Sequence, residues 1–136
     1  MSKTYVLDAN AILDLVEDGG GAERMEQLCK EAAHRRTPLL MSVVNWGEVF
    51  YYLWQRRGEE MARRTMGNLS RLPLDLVHVD LRQVEKASEI KAVHKIPYVD
   101  CLAAALAENR EAVLVTSDRD FEKLGRRVDL LWLMRP

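Results

Sequence analysis

The alternation of short apolar runs with helical patterns constrains this chain more than any other feature. Thr4–Asp8, Pro38–Met41, Leu76–Val79, Ala112–Thr116 and Asp129–Leu133 have strand length, and the segments between them repeat apolar residues at helical spacing. Such alternation is the signature of βαβ units, so the expected fold is α/β, a three-layer α/β/α sandwich with about five parallel strands. Helices are predicted over Asn10–Val16, Ala22–Ala33, Val43–Arg57 (ended by Gly58), Ala62–Leu69 (closed by Pro73), Leu81–Val93 and Tyr98–Glu108, with a helical turn at Phe121–Leu124. Leu81, Val84, Ala87 and Ile90 are spaced along one of them. Tyr98–Glu108 is apolar on overlapping faces, which predicts burial on more than one side.

A chain of 136 residues fits one domain, expected over residues 1–136. At that size folding buries roughly two-thirds of the chain's surface, so no disulfide or metal staple is required. The longest apolar stretches fall well short of a membrane span, and Met1–Thr4 leads into the first strand without the features of a signal peptide, so a cytoplasmic location is expected. Cys29 and Cys101 are isolated from each other and from histidine, which argues against zinc or a catalytic thiol and for small buried hydrophobes. Net charge is −1, which neither demands nor excludes nucleic acid.

Chemistry enters with the carboxylates. In open parallel sheets ligands bind beyond the carboxyl ends of the strands, near the point where strand order reverses. Asp8 ends the first strand, Asp118 follows the fourth, Glu48 lies about two turns into the helix after the second, and Asp100 stands in the first turn of the apolar helix. Asp8 and Asp118 could each cap the helical segment that follows, and Asp100 could favour its helix dipole. Glu48 resists such an account because Trp46, Val49 and Phe50 surround it. Gathered in one place, these charges need a counter-ion. Oxygen donors without a cysteine or histidine motif suit Mg2+ or Mn2+.

Four segments together resemble the PIN-domain family, especially VapC-type ribonuclease toxins of toxin–antitoxin modules. They are Val6–Leu13, Ser42–Val49, Pro97–Ala105 and Leu114–Phe121, in the family's order and across nearly the whole chain. The resemblance implies a single PIN-like domain and a metal-dependent endoribonuclease cutting single-stranded or loop RNA. Asp8, Glu48, Asp100 and Asp118 carry over as the acidic quartet that holds Mg2+ or Mn2+. Asn10 falls where the family has a small polar residue assisting the site, and Thr116 where it has a supporting hydroxyl. Asp120 matches an acid present in some members, and capping of the turn at Phe121 accounts for it equally well. His34, His78 and His94 lie outside all four motifs and are read as structural or surface residues.

The resemblance further implies an antitoxin protein as partner and a homodimer. Trp46, Phe50, Leu53 and Trp54 form an expected core face, Tyr51 and Tyr52 fall outside it and are expected to be exposed, and the resemblance implies a groove here for an amphipathic antitoxin segment. Arg57, Arg63, Arg64, Lys91, His94 and Lys95 are candidate rim cations for a polyanion. Two rival readings are a degenerate PIN domain that only binds RNA or protein, and a haloacid-dehalogenase-type phosphatase. Asn10 weakens the latter, since it stands where that chemistry has a second acid.

Overall fold

Five short strands form one sheet in a computed structural model that describes residues 3–134. They are β1 (Tyr5–Leu7), β2 (Leu39–Ser42), β3 (Leu74–Val77), β4 (Val113–Thr116) and β5 (Leu130–Trp132), in the order β3-β2-β1-β4-β5 with all neighbours parallel. Helices α1 (Ala9–Val16), α2 (Ala22–Arg35), α3 (Val43–Arg57), α4 (Glu59–Leu69), α5 (Leu81–Val93) and α6 (Tyr98–Asn109) connect them, and a 3-10 helix spans Arg119–Arg127. The α/β/α expectation holds. Residues 1–2 and 135–136, the ends of the expected domain, lie outside the described residues.

Side chains alternate across a strand, so each strand feeds both layers. Val6, Leu40 and Leu114 pack with Ala87, Ile90 and the alanines of α6 on one side. Leu7, Met41 and Val115 pack with Ile12, Met25, Leu28, Val49 and Leu53 on the other. Every residue from Cys101 to Ala107 is buried, as the all-round apolar pattern of α6 predicts. Cys101 is buried and Cys29 only partly so.

Several elements depart from the sequence expectation. β3 starts at Leu74 rather than Leu76, because pairing begins directly after Pro73, whose carbonyl accepts from the Leu39 N–H at 2.9 Å. On this edge strand Asp75 and Leu76 are exposed, so apolarity does not mark its limits. In α5 the inward face carries Gln83, Ala87 and Ile90, while Leu81 and Val84 are exposed. Asp80 caps this helix by accepting from the Gln83 N–H at 2.9 Å, and the Gln83 amide reaches the His78 carbonyl at 2.9 Å, which turns a polar residue inward. The helical turn at Phe121–Leu124 is the centre of the longer 3-10 segment, which is kinked at Gly125.

Gly58 ends α3 as predicted and also opens α4, three residues before the expected Ala62 start. Its φ of 86° and ψ of 166° lie in a region almost closed to residues with a Cβ. Gly58→Ala is therefore expected to lower unfolding free energy by about 1–3 kcal/mol, read as a lower denaturant midpoint with unchanged slope. An unchanged midpoint would mean that the hairpin relaxes without strain.

Candidate metal centre

Strand order reverses between β1 and β4, which opens a cleft beyond their carboxyl ends. Leu7 pairs with Val115, so the next residues, Asp8 and Thr116, leave the sheet side by side. The Thr116 hydroxyl donates to Asp8 Oδ2 and accepts from the Asp118 N–H at 2.9 Å. Asp8 Oδ1 accepts from the Ala11 N–H at 2.9 Å and so caps α1. Asp118 Oδ1 accepts from the Asp120 N–H at 2.9 Å and opens the 3-10 helix. The capping and clustering readings of these acids are thus compatible.

Two helices bring the other acids. Glu48 lies in the second turn of α3 and Asp100 in the first turn of α6. Asn45, fully buried, joins the two helices: its Nδ2 donates to Glu48 Oε1 at 3.1 Å and to the Val99 carbonyl at 3.3 Å. Sequence reading missed Asn45. Its signal was the three-residue spacing to Glu48 on the buried face of the helix.

Asp8, Glu48, Asp100 and Asp118 all line one open cleft of about 220 Å³, with Asn10 beside them. Thr116 stands behind Asp8 rather than in the cleft wall. Carboxylate oxygens of Asp100, Asp118 and Asp120 lie within 4.8 Å of one another, so Asp120, left undecided by the sequence, joins the acidic cluster.

The electrostatics are unfavourable for anions alone. Burial raises Asp8 to about 7 against the lowering effect of its Thr116 and Ala11 hydrogen bonds, with Asp100 and Asp118 adding repulsion. Burial likewise raises Asp100 to about 7, helped by Asp118, Glu48 and Asp120. Among the described residues no cation pairs with Asp8, Glu48, Asp100 or Asp118, and Asp120 alone in the cluster has one, Lys123 at 3.7 Å. Two carboxylates about 4 Å apart near a protein surface repel by roughly 4 kcal/mol. The oxygen donors of Asp8, Glu48, Asp100 and Asp118, none of them paired with a cation among the described residues, fit a hard divalent ion such as Mg2+ or Mn2+.

The rim cations are mostly engaged. Arg63 and Arg64 pair with Glu59 and Glu60 at 2.9 and 3.2 Å, Arg57 faces Glu17 at 3.8 Å, and Lys91 donates to the Ile96 carbonyl at 2.7 Å. His34 and His78 are exposed and His94 partly buried. On α3 the inward residues are Asn45, Val49 and Leu53, flanked by half-buried Trp46 and Phe50, and Trp54 is exposed rather than core. Tyr51 is exposed as expected, and Tyr52 half-buried.

The PIN-domain family model matches residues 5–127, and the chain belongs to that family. Its fold is that of VapC toxins. It is similar to VapBC2 from Rickettsia felis bound to a promoter DNA fragment, with TM-score 0.76 and 16% identity over 94% of this chain and 97% of that one. DNA-bound VapBC from Salmonella typhimurium gives 0.75 and 17% over 98% and 100%. VapC20 of Mycobacterium tuberculosis, a sarcin-ricin-loop-cleaving toxin, gives 0.74 and 20% over 98% and 100%. No curated protein matches by sequence.

Raised carboxyls give a definite pH dependence. Between the unfolded value of 3.8 and the folded value of about 7 the folded chain binds more protons than the unfolded one, so these groups lose stability for the metal-free protein as pH rises. In EDTA the melting temperature is expected to fall from pH 5 to pH 8. Asp100→Asn should flatten that slope and raise the melting temperature at pH 8 by about 3–6 °C, the shift roughly 1 kcal/mol produces at this size. A lower melting temperature for the variant at pH 8 would contradict the crowding.

Proposed function

We propose that the chain is a metal-dependent endoribonuclease that cuts single-stranded or loop RNA and acts as the toxin of a toxin–antitoxin pair. One observation carries this reading: carboxylates from four distant segments of a PIN domain converge on one cleft without a cation of their own. Asp8, Glu48, Asp100 and Asp118 would hold Mg2+ or Mn2+. When bound, such an ion activates water toward phosphorus and stabilises charge on the leaving oxygen.

The chain's own groups do the positioning. Thr116 and the Ala11 N–H fix the two oxygens of Asp8, and Asn45 orients Glu48 while tying α3 to the start of α6. Asn10 lines the same cleft, and its amide would meet the substrate phosphate there.

An antitoxin segment would lie along the exposed apolar side of α3 and α4, where Trp54 and Met61 are open to solvent. The similarity to VapBC complexes supports a protein partner of that kind. A homodimer acting in the cytoplasm completes the proposal, and none of the described helices is long and apolar enough to cross a membrane.

Total RNA incubated with the chain should be cut in Mg2+ or Mn2+ and spared in EDTA, leaving 5′-phosphate and 3′-hydroxyl ends. Asp8→Asn and Asp100→Asn should each lose more than about 100-fold in cleavage rate, beyond the 10–100-fold typical of outer-shell partners. Full activity in EDTA, or in both variants, would remove the proposal.

A further inference from the structure

Tyr51 follows Glu48 by three residues on α3, a spacing that puts both side chains on one helix face. Both line the cleft that holds Asp8, Asp100 and Asp118. Tyr51 is 56% exposed, the most open aromatic residue of this helix, against 41% for Trp54. Phe50 and Trp54 lean on each other at 5.7 Å and share the Arg63 guanidinium, 5.4 Å from each ring. Tyr52 carries Arg56 over its ring at 5.0 Å and hydrogen-bonds Glu17 at 3.3 Å. Trp46 packs on the core beneath the sheet. Among the described residues, no aromatic ring or cation lies over Tyr51.

The cleft therefore combines a charged floor with a flat, open ring, and Pro97 and Val99 extend its apolar wall. A phosphodiester has that same duality, an anionic phosphate with uncharged, flat bases on either side. We propose that Tyr51 is a stacking platform for an unpaired nucleobase flanking the phosphodiester at the carboxylates. This rests on the nuclease reading and sharpens it. Bases within a duplex already have both faces covered by their neighbours, so the ring selects strands whose base at the cut is splayed out. Every base offers a π-face, so the position should tolerate all four bases yet depend on having one.

The test uses the full chain in Mg2+, an oligoribonucleotide it cuts, and the same strand with an abasic residue beside the cut. Tyr51→Ala is expected to raise KM about 5- to 100-fold, the loss of one stacked base, with a smaller change in kcat. Tyr51→Trp and Tyr51→Phe should stay within about 3-fold of the parent. The abasic strand should cost the parent a similar factor and cost Tyr51→Ala almost nothing further, the non-additivity of two partners in one contact. Fully multiplicative losses, or an unchanged KM in Tyr51→Ala, would overturn the inference while leaving the nuclease reading intact. If the parent cuts no RNA, the nuclease reading falls and binding decides the platform separately. Quenching of a 2-aminopurine strand by the parent but not by Tyr51→Ala upholds it. Equal quenching, or none, overturns it and leaves the ring to a protein partner.

Discussion

Desolvation of carboxylates at the reversal of strand order, with repulsion between them added to it, is the constraint around which this molecule is arranged. Asp8 and Asp100 are both raised to about 7 by burial and by neighbouring acids. A chain selected only for stability would have replaced them, since apolar residues of similar volume carry no desolvation penalty. Their presence in one cleft is a stored electrostatic cost that a divalent cation relieves, and the surrounding structure keeps them from moving apart. The parallel register of β1 with β4 sets Asp8 beside Thr116, and the Thr116 hydroxyl holds Asp8 while receiving the Asp118 backbone.

The same groups serve folding and site at once. One oxygen of Asp8 satisfies an N–H at the start of α1, and one of Asp118 does so at the start of the 3-10 helix. A capping contact is worth about 1 kcal/mol, which offsets part of the crowding. Asn45 does for the helices what Thr116 does for the strands, bridging α3 to α6 through Glu48 and Val99. Its Oδ1 is buried without a partner, as is Gln83 Oε1.

Much of this was legible in the residue order, because the strongest signals are periodic. The limits of α3 and α5 and the buried character of α6 and β4 followed from spacing and continuous apolarity. Asp8 and Asp118 could be assigned to strand ends, Asp100 to a helix start and Glu48 to a helix interior, and the fold then brought them to one cleft. What escaped depends on partners distant in sequence. The limits of β3 are set by pairing with β2 and not by its own residues. The phase of α5 turns on Gln83 finding the His78 carbonyl. Asn45 reads as a polar residue in a helix until Val99, 54 positions away, is beside it. Asp120 joins the cluster only because the 3-10 turn carries it back toward Asp100.

The central claim, that the acids are held close for a cation to neutralise, is tested most directly by calorimetric titration of the chain with Mn2+ in buffers of different ionisation enthalpy. The account predicts binding with net proton release near pH 6.5, because the raised carboxyls must ionise to bind, and loss of that release by pH 9. Absence of Mn2+ binding, or binding at pH 6.5 without any proton release, would contradict it.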